Sequence, residues 1–352
     1  MRQFAVFSGF LGAGKTSAMM ALTAYHSAHR GKAAMISNDL GEGVTLADHR
    51  YAQLSGCRSS EITDECICFC HDVLTARLNA CFDEGCELVV SDIPGFGVGA
   101  LEHVYHGLET EYPGAFSLAP FTVLVEPRTV ALLRAGQTDD LAYIWDAQLR
   151  EADQIVLSKC DLLDASGLEE AVSWLSARYR VPVIPFSALR GDGLEALSRS
   201  LAEENASLRH PDIDYNGDGL QDAMGSLSEY YLQYHAVVCC DDFDGTAYLR
   251  DIAQQVQGGI RAAGREIPHL KLLAWAPEGD FGKVDLLGAE RPVEVSRAFG
   301  QPCTELAVVL NGSAACPAEA LDAILREAVE TVSRRYQLEL TVFKKDCFGM
   351  GD

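Results

Sequence analysis

The sequence predicts an α/β domain with a mainly parallel sheet, followed by a smaller α+β domain. Short apolar, β-branched segments alternate with segments of helical period through the first half of the chain. Segments that are apolar along their whole length indicate strands buried on both faces, as in a parallel sheet covered by helices. Beyond these, a stretch rich in Asp, Asn, Gly and Ser separates a second group of elements, in the order strand-helix-strand-strand-strand-helix-strand.

The predicted elements divide the chain into a domain over residues 1–201, a linker over 202–228 and a domain over 229–352. In the first domain, the predicted strands are residues 4–7, 33–36, 88–90, 121–125, 155–157 and 181–186, and the predicted helices are 18–29, 73–80, 129–133 and 168–179. In the second domain, the predicted strands are residues 231–239, 270–275, 283–287, 305–310 and 338–343, and the predicted helices are 247–263 and 318–336. The later order indicates a largely antiparallel sheet.

Charge and composition exclude several classes of partner. The 352 residues include 51 Asp and Glu against 28 Lys and Arg, and a net charge of -23 repels nucleic-acid phosphates and anionic lipids. No segment approaches the ~20 apolar residues of a membrane span, and the first residues lead directly into a nucleotide motif without room for a signal sequence. We therefore expect a cytoplasmic protein that binds neither nucleic acid nor membrane. Disulfides are uncommon there, so the cysteines are read as thiols, metal ligands or core residues.

The first motif is Gly-Phe-Leu-Gly-Ala-Gly-Lys-Thr at residues 9–16, which matches G-x-x-x-x-G-K-S/T between a strand and a helix. Glycines allow backbone N–H groups to surround the β-phosphate, and the helix start adds its positive dipole end. We expect Lys15 to reach the β- and γ-phosphates and Thr16 to ligate Mg²⁺. The predicted phosphate-binding residues are Gly9, Gly12, Ala13, Gly14, Lys15, Thr16 and Ser17.

Acidic residues after two other strands are the candidates for catalysis. Asp92 ends a strand and can hold the magnesium shell, and Gly95 can offer its N–H to the γ-phosphate. Asp39 and Glu42 lie in the predicted first switch and are candidates for holding the metal shell or orienting the attacking water. The predicted catalytic set is Lys15, Asp39, Glu42 and Asp92.

Two later segments predict that the base is guanine. Ser-Lys-Cys-Asp at residues 158–161 resembles the guanine-reading N/S/T-K-x-D element of GTPases. The Asp161 carboxylate can accept from guanine N1–H and the exocyclic amine, two donors that adenine lacks, while the stem of Lys159 covers the base. Ser187 and Ala188 resemble the start of the S-A-K element, whose backbone contacts the guanine O6. GTP is therefore favoured over ATP as the substrate.

Six of the twelve cysteines lie between residues 57 and 86, and Cys66, Cys68 and Cys70 form a C-x-C-x-C cluster. In an extended segment all three thiols share one face, whereas in a helix only Cys66 and Cys70 face together. Three thiolates suit Zn²⁺, Cu(I) or a cobalt ion and leave a position for a further ligand. The alternatives are free cysteines that pack as small apolar residues and an iron–sulfur site.

Together, these motifs resemble the CobW-type GTPases, relatives of the nickel chaperones UreG and HypB. The resemblance rests on residues 9–16, on Asn-Asp-Leu-Gly-Glu at residues 38–42, and on the cysteine cluster. It implies GTP hydrolysis coupled to metal transfer, a client metalloprotein, and a homodimer. The chain departs from the family pattern in two ways, because Phe69 separates the last two cysteines and Asp92 stands where the family has Glu.

Another function class stays open from the sequence alone. The chain can instead be a nucleotide-switched binding protein that escorts a corrinoid or other metalloenzyme, with structural zinc or redox-active cysteines. His103 and His106 are three residues apart, so on a helix they could share a face and offer imidazoles to a metal relayed from the cysteines, but we interpret them as an ordinary surface pair.

Overall fold

The computed structural model describes residues 2–215, 217–239 and 241–351. They form two compact units: the first comprises residues 2–40 and 56–223, and the second comprises residues 41–55 and 224–351. The chain therefore enters the second unit twice. The predicted domain limits place residues 41–55 in the first domain, whereas the structure places them in the second unit. The stretch predicted as a linker includes a helix over Asp218–Gly225.

The sheet of the first unit is parallel throughout its described pairings, which confirms the predicted α/β class. Its strand order is β3-β2-β4-β1-β6-β7-β8, with β5 paired to β1. Every residue of β1, β2 and β4 is buried, as the uninterrupted apolar runs predict. The strands are β1 (Gln3–Ser8), β2 (Ala33–Asn38), β3 (Ser59–Ile62), β4 (Leu88–Asp92), β5 (Ser117–Leu118), β6 (Thr122–Val125), β7 (Gln154–Leu157) and β8 (Val183–Pro185).

Helices connect these strands, and several of them begin at residues whose chemistry caps a helix. The carboxylates of Asp139 and Asp164 accept from the N–H groups of Ala142 and Gly167, at 3.0 and 2.8 Å. A π-helix at Leu101–His106 and a 3₁₀ turn at Cys160–Leu162 complete the described helical elements. The α-helices up to the second unit's main sheet are α1 (Lys15–His29), α2 (Ala47–Leu54, in the second unit), α3 (His71–Asp83), α4 (Gly107–Glu111), α5 (Pro127–Arg134), α6 (Asp140–Glu151), α7 (Ala165–Tyr179), α8 (Leu194–Glu203) and α9 (Asp218–Gly225).

Parallel pairing brings the carboxyl ends of the strands to one edge of the first sheet. Ser8, Asn38, Asp92 and Leu157 end four of these strands. Ligands of open α/β sheets bind at this edge, because the loops that follow the strands meet there. Four of the sequence motifs follow these ends directly.

The second unit is built on an antiparallel sheet of order β12-β11-β10-β13-β9-β14, as predicted. Its elements are β9 (Ser228–Val238), α10 (Gly245–Ala262), β10 (Glu266–Trp275), β11 (Phe281–Leu286), β12 (Glu294–Arg297), β13 (Glu305–Ala315), α11 (Ala318–Arg335) and β14 (Leu338–Gly349). Strand β12 is an addition to the predicted order.

Both faces of the antiparallel sheet are covered in its centre. Leu272 and Leu310 belong to the core that includes residues of α10 and α11. Their neighbours Leu273 and Val309 point to the opposite face, where they pack with Ala47 of α2. The early segment 41–55 is thus an integral layer of the second unit.

In the described part of the chain, no helix has both the length and the apolar character needed to cross a membrane.

Candidate functional site

The loop after β1 has the backbone conformation that its glycines allow. Gly9, Gly12 and Gly14 all have positive φ angles, at 128°, 79° and 91°. A Cβ atom on Gly9 would lie 2.3 Å from the carbonyl oxygen of Leu124, so no other residue fits there. The Nζ of Lys15 donates to the carbonyl oxygen of Gly9 over 2.6 Å, which places the amine across the mouth of the loop.

The rest of the predicted phosphate-binding set surrounds this loop. Ala13 is buried and its N–H donates to the carbonyl oxygen of Phe10, over 3.0 Å. Thr16 is half-buried and Ser17 is exposed, both in the first turn of α1. The first N–H groups of a helix have no partner within it, so this turn can accept an anionic ligand.

Asp92 and the loop after it lie beside the phosphate loop. The Asp92 side chain is only 5 % exposed, and its Oδ1 accepts from the N–H of Asn38 over 2.9 Å. A Cβ atom on Gly95 would lie 2.4 Å from Cδ2 and 3.0 Å from the backbone nitrogen of Leu11, so glycine lets this loop pack closely on the phosphate loop. The structure therefore brings together two motifs that are about 80 residues apart in the chain.

Two side chains of α6 hold the loop after Asp92 in place, and the sequence analysis missed both. Nε2 of Gln148 donates to the carbonyl oxygens of Gly95 and Gly97, each over 3.0 Å. Oε2 of Glu151 accepts from the N–H of Gly99 over 2.9 Å, and its Oε1 accepts from the hydroxyl of Tyr215 over 3.0 Å. No local pattern marks these residues, because their partners are distant in sequence.

Burial gives Glu151 an unusual protonation equilibrium. The side chain is fully buried, and desolvation of the charged form raises the pKa of Glu151 to about 7, although the bonds from Gly99 and Tyr215 oppose this shift. The carboxyl group that holds the end of this loop therefore titrates near neutral pH.

The predicted base-reading segment is linked to the phosphate loop. Lys159 has a left-handed backbone conformation, with φ at 51°. Its Nζ donates to the carbonyl oxygen of Gly12 and to Oε2 of Glu126, each over 2.8 Å. The Lys159–Glu126 pair is largely shielded from solvent. Glu126, which the sequence analysis missed, thereby orients the lysine whose stem is expected to cover the base.

The two predicted guanine-reading segments lie next to each other. The N–H of Cys160 donates to the carbonyl oxygen of Phe186 over 3.1 Å, so Asp161 and Ser187 each follow one partner of this bond. Ser187 is buried, and its N–H donates to the carbonyl oxygen of Asp192. Leu189, which takes the place of the lysine of an S-A-K element, is 87 % exposed.

The two acidic residues of the predicted first switch lie in different units. Asp39 is half-buried in the first unit, and its Oδ1 accepts from the N–H of Leu40 over 2.9 Å. Glu42 belongs to the second unit, where it is exposed and its N–H donates to Oδ2 of Asp346 over 3.3 Å.

The cysteine cluster forms a turn, which is neither of the two conformations considered from the sequence. The N–H of Phe69 donates to the carbonyl oxygen of Cys66 over 2.9 Å, and Cys70 directly precedes α3. Cys68 and Cys70 are buried, whereas the intervening Phe69 is 69 % exposed. Among the described residues, the three sulfur atoms are not part of a group whose ligand atoms all lie within 4.8 Å of one another. A shared ion requires the turn to tighten.

The three thiols differ in acidity. The thiol of Cys68 donates to the sulfur of Cys66, which lowers the pKa of Cys66 and raises that of Cys68. Burial raises the pKa of Cys70 to about 11. Cys66 is therefore the thiol that loses its proton first, and an incoming metal ion must displace the protons of the other two.

Asn38 joins the cysteine turn to Asp92. Its Oδ1 accepts from the N–H of Ile67 over 3.0 Å, and its Nδ2 donates to the carbonyl oxygens of Ile62 and Glu65 over 3.1 and 2.8 Å. The side chain is buried, so these bonds are shielded from water. Asn38 belongs to one of the sequence motifs, but the motif alone does not indicate this role.

Comparisons with known proteins give one family match and several similar solved structures. The sequence model of the family described as CobW/HypB/UreG, nucleotide-binding domain, matches residues 3–182. Among solved structures, the chain is similar to HypB from Helicobacter pylori in complex with nickel, at 18% identity and a TM-score of 0.40, over 57% of this chain and 86% of that one. It is also similar to Zn(II)-bound YjiA GTPase from E. coli, at 14% identity and a TM-score of 0.38, over 92% and 98%. A GTPase from Pyrococcus abyssi, PAB0955 in its apo form, aligns at 18% identity and a TM-score of 0.34, over 58% and 97%.

The identification rests on the family match, which covers just over half of the chain. The matched residues include the loop over residues 9–16, Asn38, Asp92, the cysteine turn and the predicted base-reading segment. The chain belongs to the CobW/HypB/UreG family, and its residues 3–182 are the nucleotide-binding domain of that family.

Proposed function

We propose that the protein binds and hydrolyses GTP and uses its nucleotide state to control a metal ion held by Cys66, Cys68 and Cys70, on behalf of a client metalloprotein. The observation that carries this proposal is the set of hydrogen bonds around Asn38, which connect the carboxylate of Asp92 to the backbone of the cysteine turn. A change at the nucleotide then has a short route to the metal ligands.

The nucleotide part of the proposal assigns a role to each element at the carboxyl edge of the sheet. Backbone N–H groups of the phosphate loop and the amine of Lys15 bind the phosphates, and the carboxylate of Asp161 selects guanine. Asp39 and Glu42 remain candidates for orienting the attacking water.

The residues proposed for Mg²⁺ fit that ion chemically. The hydroxyl of Thr16 and the buried carboxylate of Asp92 are hard oxygen donors, and Mg²⁺ is held through such donors together with substrate phosphates. When bound, Mg²⁺ neutralises charge that develops on the phosphates during transfer.

Coupling follows from the position of Gly95. Its N–H is the proposed donor to the γ-phosphate, while Gln148 holds its carbonyl oxygen. Loss of the γ-phosphate releases the loop after Asp92, and Asn38 transmits the change to the turn at Cys66. The metal affinity of the turn then depends on whether GTP or GDP is bound.

The cysteine turn suits a transferable ion. Thiolates select Zn²⁺, cobalt or another thiophilic metal, and three protein ligands leave one position for a group of the client. Because two of the three thiols carry raised pKa values, metal binding must release protons and therefore weakens as the pH falls.

Two variants test the proposal. Lys15→Ala should abolish phosphate release from GTP, whereas the exposed control Lys32→Ala should leave it intact. The triple variant Cys66→Ser, Cys68→Ser, Cys70→Ser should no longer bind the metal ion whose affinity differs between the GTP-bound and GDP-bound protein. Unchanged turnover in the first variant, or unchanged nucleotide-dependent binding in the second, contradicts the corresponding part of the proposal.

The second candidate function is a nucleotide-switched protein that escorts a metalloenzyme and keeps its cysteines for a structural or redox role. The burial of Cys68 and Cys70 and the exposure of Phe69 between them favour this reading, since an exposed aromatic side chain is suited to binding a protein partner. Metal analysis of the purified protein with GDP and with a non-hydrolysable GTP analogue separates the two. Stoichiometric zinc that is independent of nucleotide supports the escort function.

The implied homodimer is part of the same proposal. Sedimentation velocity in GDP and in the GTP analogue tests it, and a single monomeric species in both states contradicts it.

A further inference from the structure

A second group of metal-binding side chains lies outside the cysteine turn. Glu102 and His106 belong to the π-helix Leu101–His106, which follows the loop held by Glu151, and His210 lies in the irregular stretch after α8. One ligand atom from each of the three side chains lies within 4.8 Å of the other two, a spacing that no other group of His, Cys, Asp and Glu meets among the described residues. The sequence pairs His106 with His103 by spacing, whereas in the structure its neighbours are Glu102 and His210.

Specific bonds fix the backbone around this group. Nη2 of Arg209 donates to the carbonyl oxygens of Arg150 and Ala152 over 2.6 and 2.7 Å, which fastens the residue before His210 to the end of α6. Nδ1 of His210 lies 2.9 Å from Oε2 of Glu102. The cluster thus joins two segments that are more than 100 residues apart. Each segment also has a bond outside the cluster, from Arg209 to the end of α6 and from Gly99 to Glu151.

We propose that Glu102, His106 and His210 form a second metal site, which takes a divalent ion of the zinc, cobalt or nickel type. Two imidazole nitrogens and one carboxylate oxygen are a donor set for such ions, and three protein ligands leave a position for water or an exchanging group. The set contains no sulfur, so it differs in chemistry from the cysteine turn. The inference does not rest on GTP hydrolysis or on metal binding by the cysteines.

The present side-chain positions need one adjustment to hold an ion. The rings of His106 and His210 are stacked with centroids 4.3 Å apart and planes 6° apart, and the lone pairs of parallel rings cannot point at one ion. Zinc–nitrogen bonds of about 2.0–2.1 Å in a tetrahedral site place ligand atoms about 3.3 Å apart. The His210 side chain is 72 % exposed, so it can turn toward the other two ligands without disturbing the core.

The position of the site gives it a consequence for the neighbouring turn. Between Glu102 and His106 lies His103, whose ring centroid is 5.8 Å from that of the exposed Phe69. An ion at the new site would stiffen the π-helix, which carries Glu102, His103 and His106. Turns of π-helix are frequent at functional sites. The proposed site therefore lies near the cysteine turn, but its occupancy can be measured when the cysteines themselves bind no metal.

The test uses the full chain with the three cluster cysteines replaced by serine. Isothermal titration with Co²⁺ should show one ion per chain, and the visible spectrum should lack a thiolate-to-cobalt charge-transfer band. His210→Ala in this background should weaken Co²⁺ binding at least about tenfold, or ~1.4 kcal/mol. His29→Ala, which removes another exposed histidine of the same unit, is the matched control. Equal affinity with and without His210, or no binding at micromolar Co²⁺, overturns the proposal.

A second measurement keeps the proposal testable if the serine variant does not fold. In the otherwise unchanged chain, equilibrium dialysis against Co²⁺ should show one ion fewer per chain for His210→Ala than for His29→Ala. Equal stoichiometry in the two variants overturns the site. Ion stoichiometry and GTP turnover are separate measurements. A failure of the proposed metal site is therefore distinguishable from a failure of the proposed GTPase.

Discussion

The N–H of Asn38 donates to Oδ1 of Asp92 over 2.9 Å, at the ends of two neighbouring parallel strands. The same asparagine binds the backbone on both sides of Cys66 through its side chain. One residue therefore contacts both the proposed magnesium ligand and the proposed metal turn. The coupling between the nucleotide site and the cysteine turn can therefore be tested by substituting this single residue.

Asn38→Ala should separate nucleotide state from metal affinity. The variant keeps its N–H bond to Asp92 but loses three buried side-chain bonds to the backbone, which should lower the free energy of unfolding by about 1–3 kcal/mol. The ratio of metal affinities measured with the GTP analogue and with GDP should fall toward one. Asn79→Ala, which removes an exposed asparagine contact to Arg2, should leave the ratio unchanged. A normal ratio in Asn38→Ala contradicts the route through this residue.

Glu126→Gln should weaken the binding of guanine nucleotides, although Glu126 is proposed to act only through Lys159 and not by contacting the nucleotide. The change removes the charge that holds Nζ of Lys159, so the lysine loses part of its orientation against the base. We expect the Kd for GDP to rise about tenfold, or ~1.4 kcal/mol, in a fluorescence titration with a labelled nucleotide. The exposed pair of Arg134 and Glu170 supplies the control Glu170→Gln. Equal affinity in the two variants would count against this role of Glu126.

Stability should fall with rising pH because of Glu151. The folded protein keeps this carboxyl protonated up to about pH 7, whereas the unfolded chain loses the proton near the ordinary value of 4.5, so unfolding releases a proton between these limits. Glu151→Gln lacks this loss, so its free energy of unfolding should rise by about 3 kcal/mol relative to that of the unmodified protein between pH 4.5 and 8. Urea unfolding at several pH values measures the difference. The exposed control Glu109→Gln should follow the unmodified protein, and parallel curves for Glu151→Gln would refute the assignment.

Cys66 should be the most reactive thiol of the cluster, since the thiol of Cys68 stabilises its charged form. Iodoacetamide labelling at pH 7.5, followed by peptide mass spectrometry, should modify Cys66 before Cys68 and Cys70. Cys68→Ala removes the donor and should slow the labelling of Cys66 several-fold, whereas Cys68→Ser keeps a hydroxyl donor and should slow it less. Identical rates in the alanine and serine variants would contradict the hydrogen bond.

Local patterns were sufficient to predict the α/β class, the positions of the main strands along the chain and the largely antiparallel second sheet. The strands that carry Asp92 and the phosphate loop are buried on both faces, and such strands leave an uninterrupted apolar run in the sequence. The sequence left an extended and a helical conformation open for the three cysteines, and the structure has neither. The bond from Phe69 to Cys66 closes a turn there, and a turn has no single side-chain period.

The sequence could not reveal the residues that act on distant parts of the chain. Glu151 is an ordinary glutamate near the end of an amphipathic helix until Gly99 and Tyr215 are placed against it. His210 lies in a polar stretch that the sequence indicates only as a linker. Tertiary contacts of this kind depend on which loops meet, and the local patterns of a single sequence do not contain that information.

The early excursion of the chain limits how the protein can be divided for experiments. Val44 and Leu46 are buried against Tyr231, and the N–H of Ala47 donates to Oδ1 of Asn311 over 2.8 Å. Segment 41–55 therefore depends on strands that come more than 180 residues later. A recombinant fragment that stops at residue 223 would leave these side chains bare and prone to self-association. Expression of the nucleotide-binding half alone therefore calls for a short designed loop in place of residues 41–55.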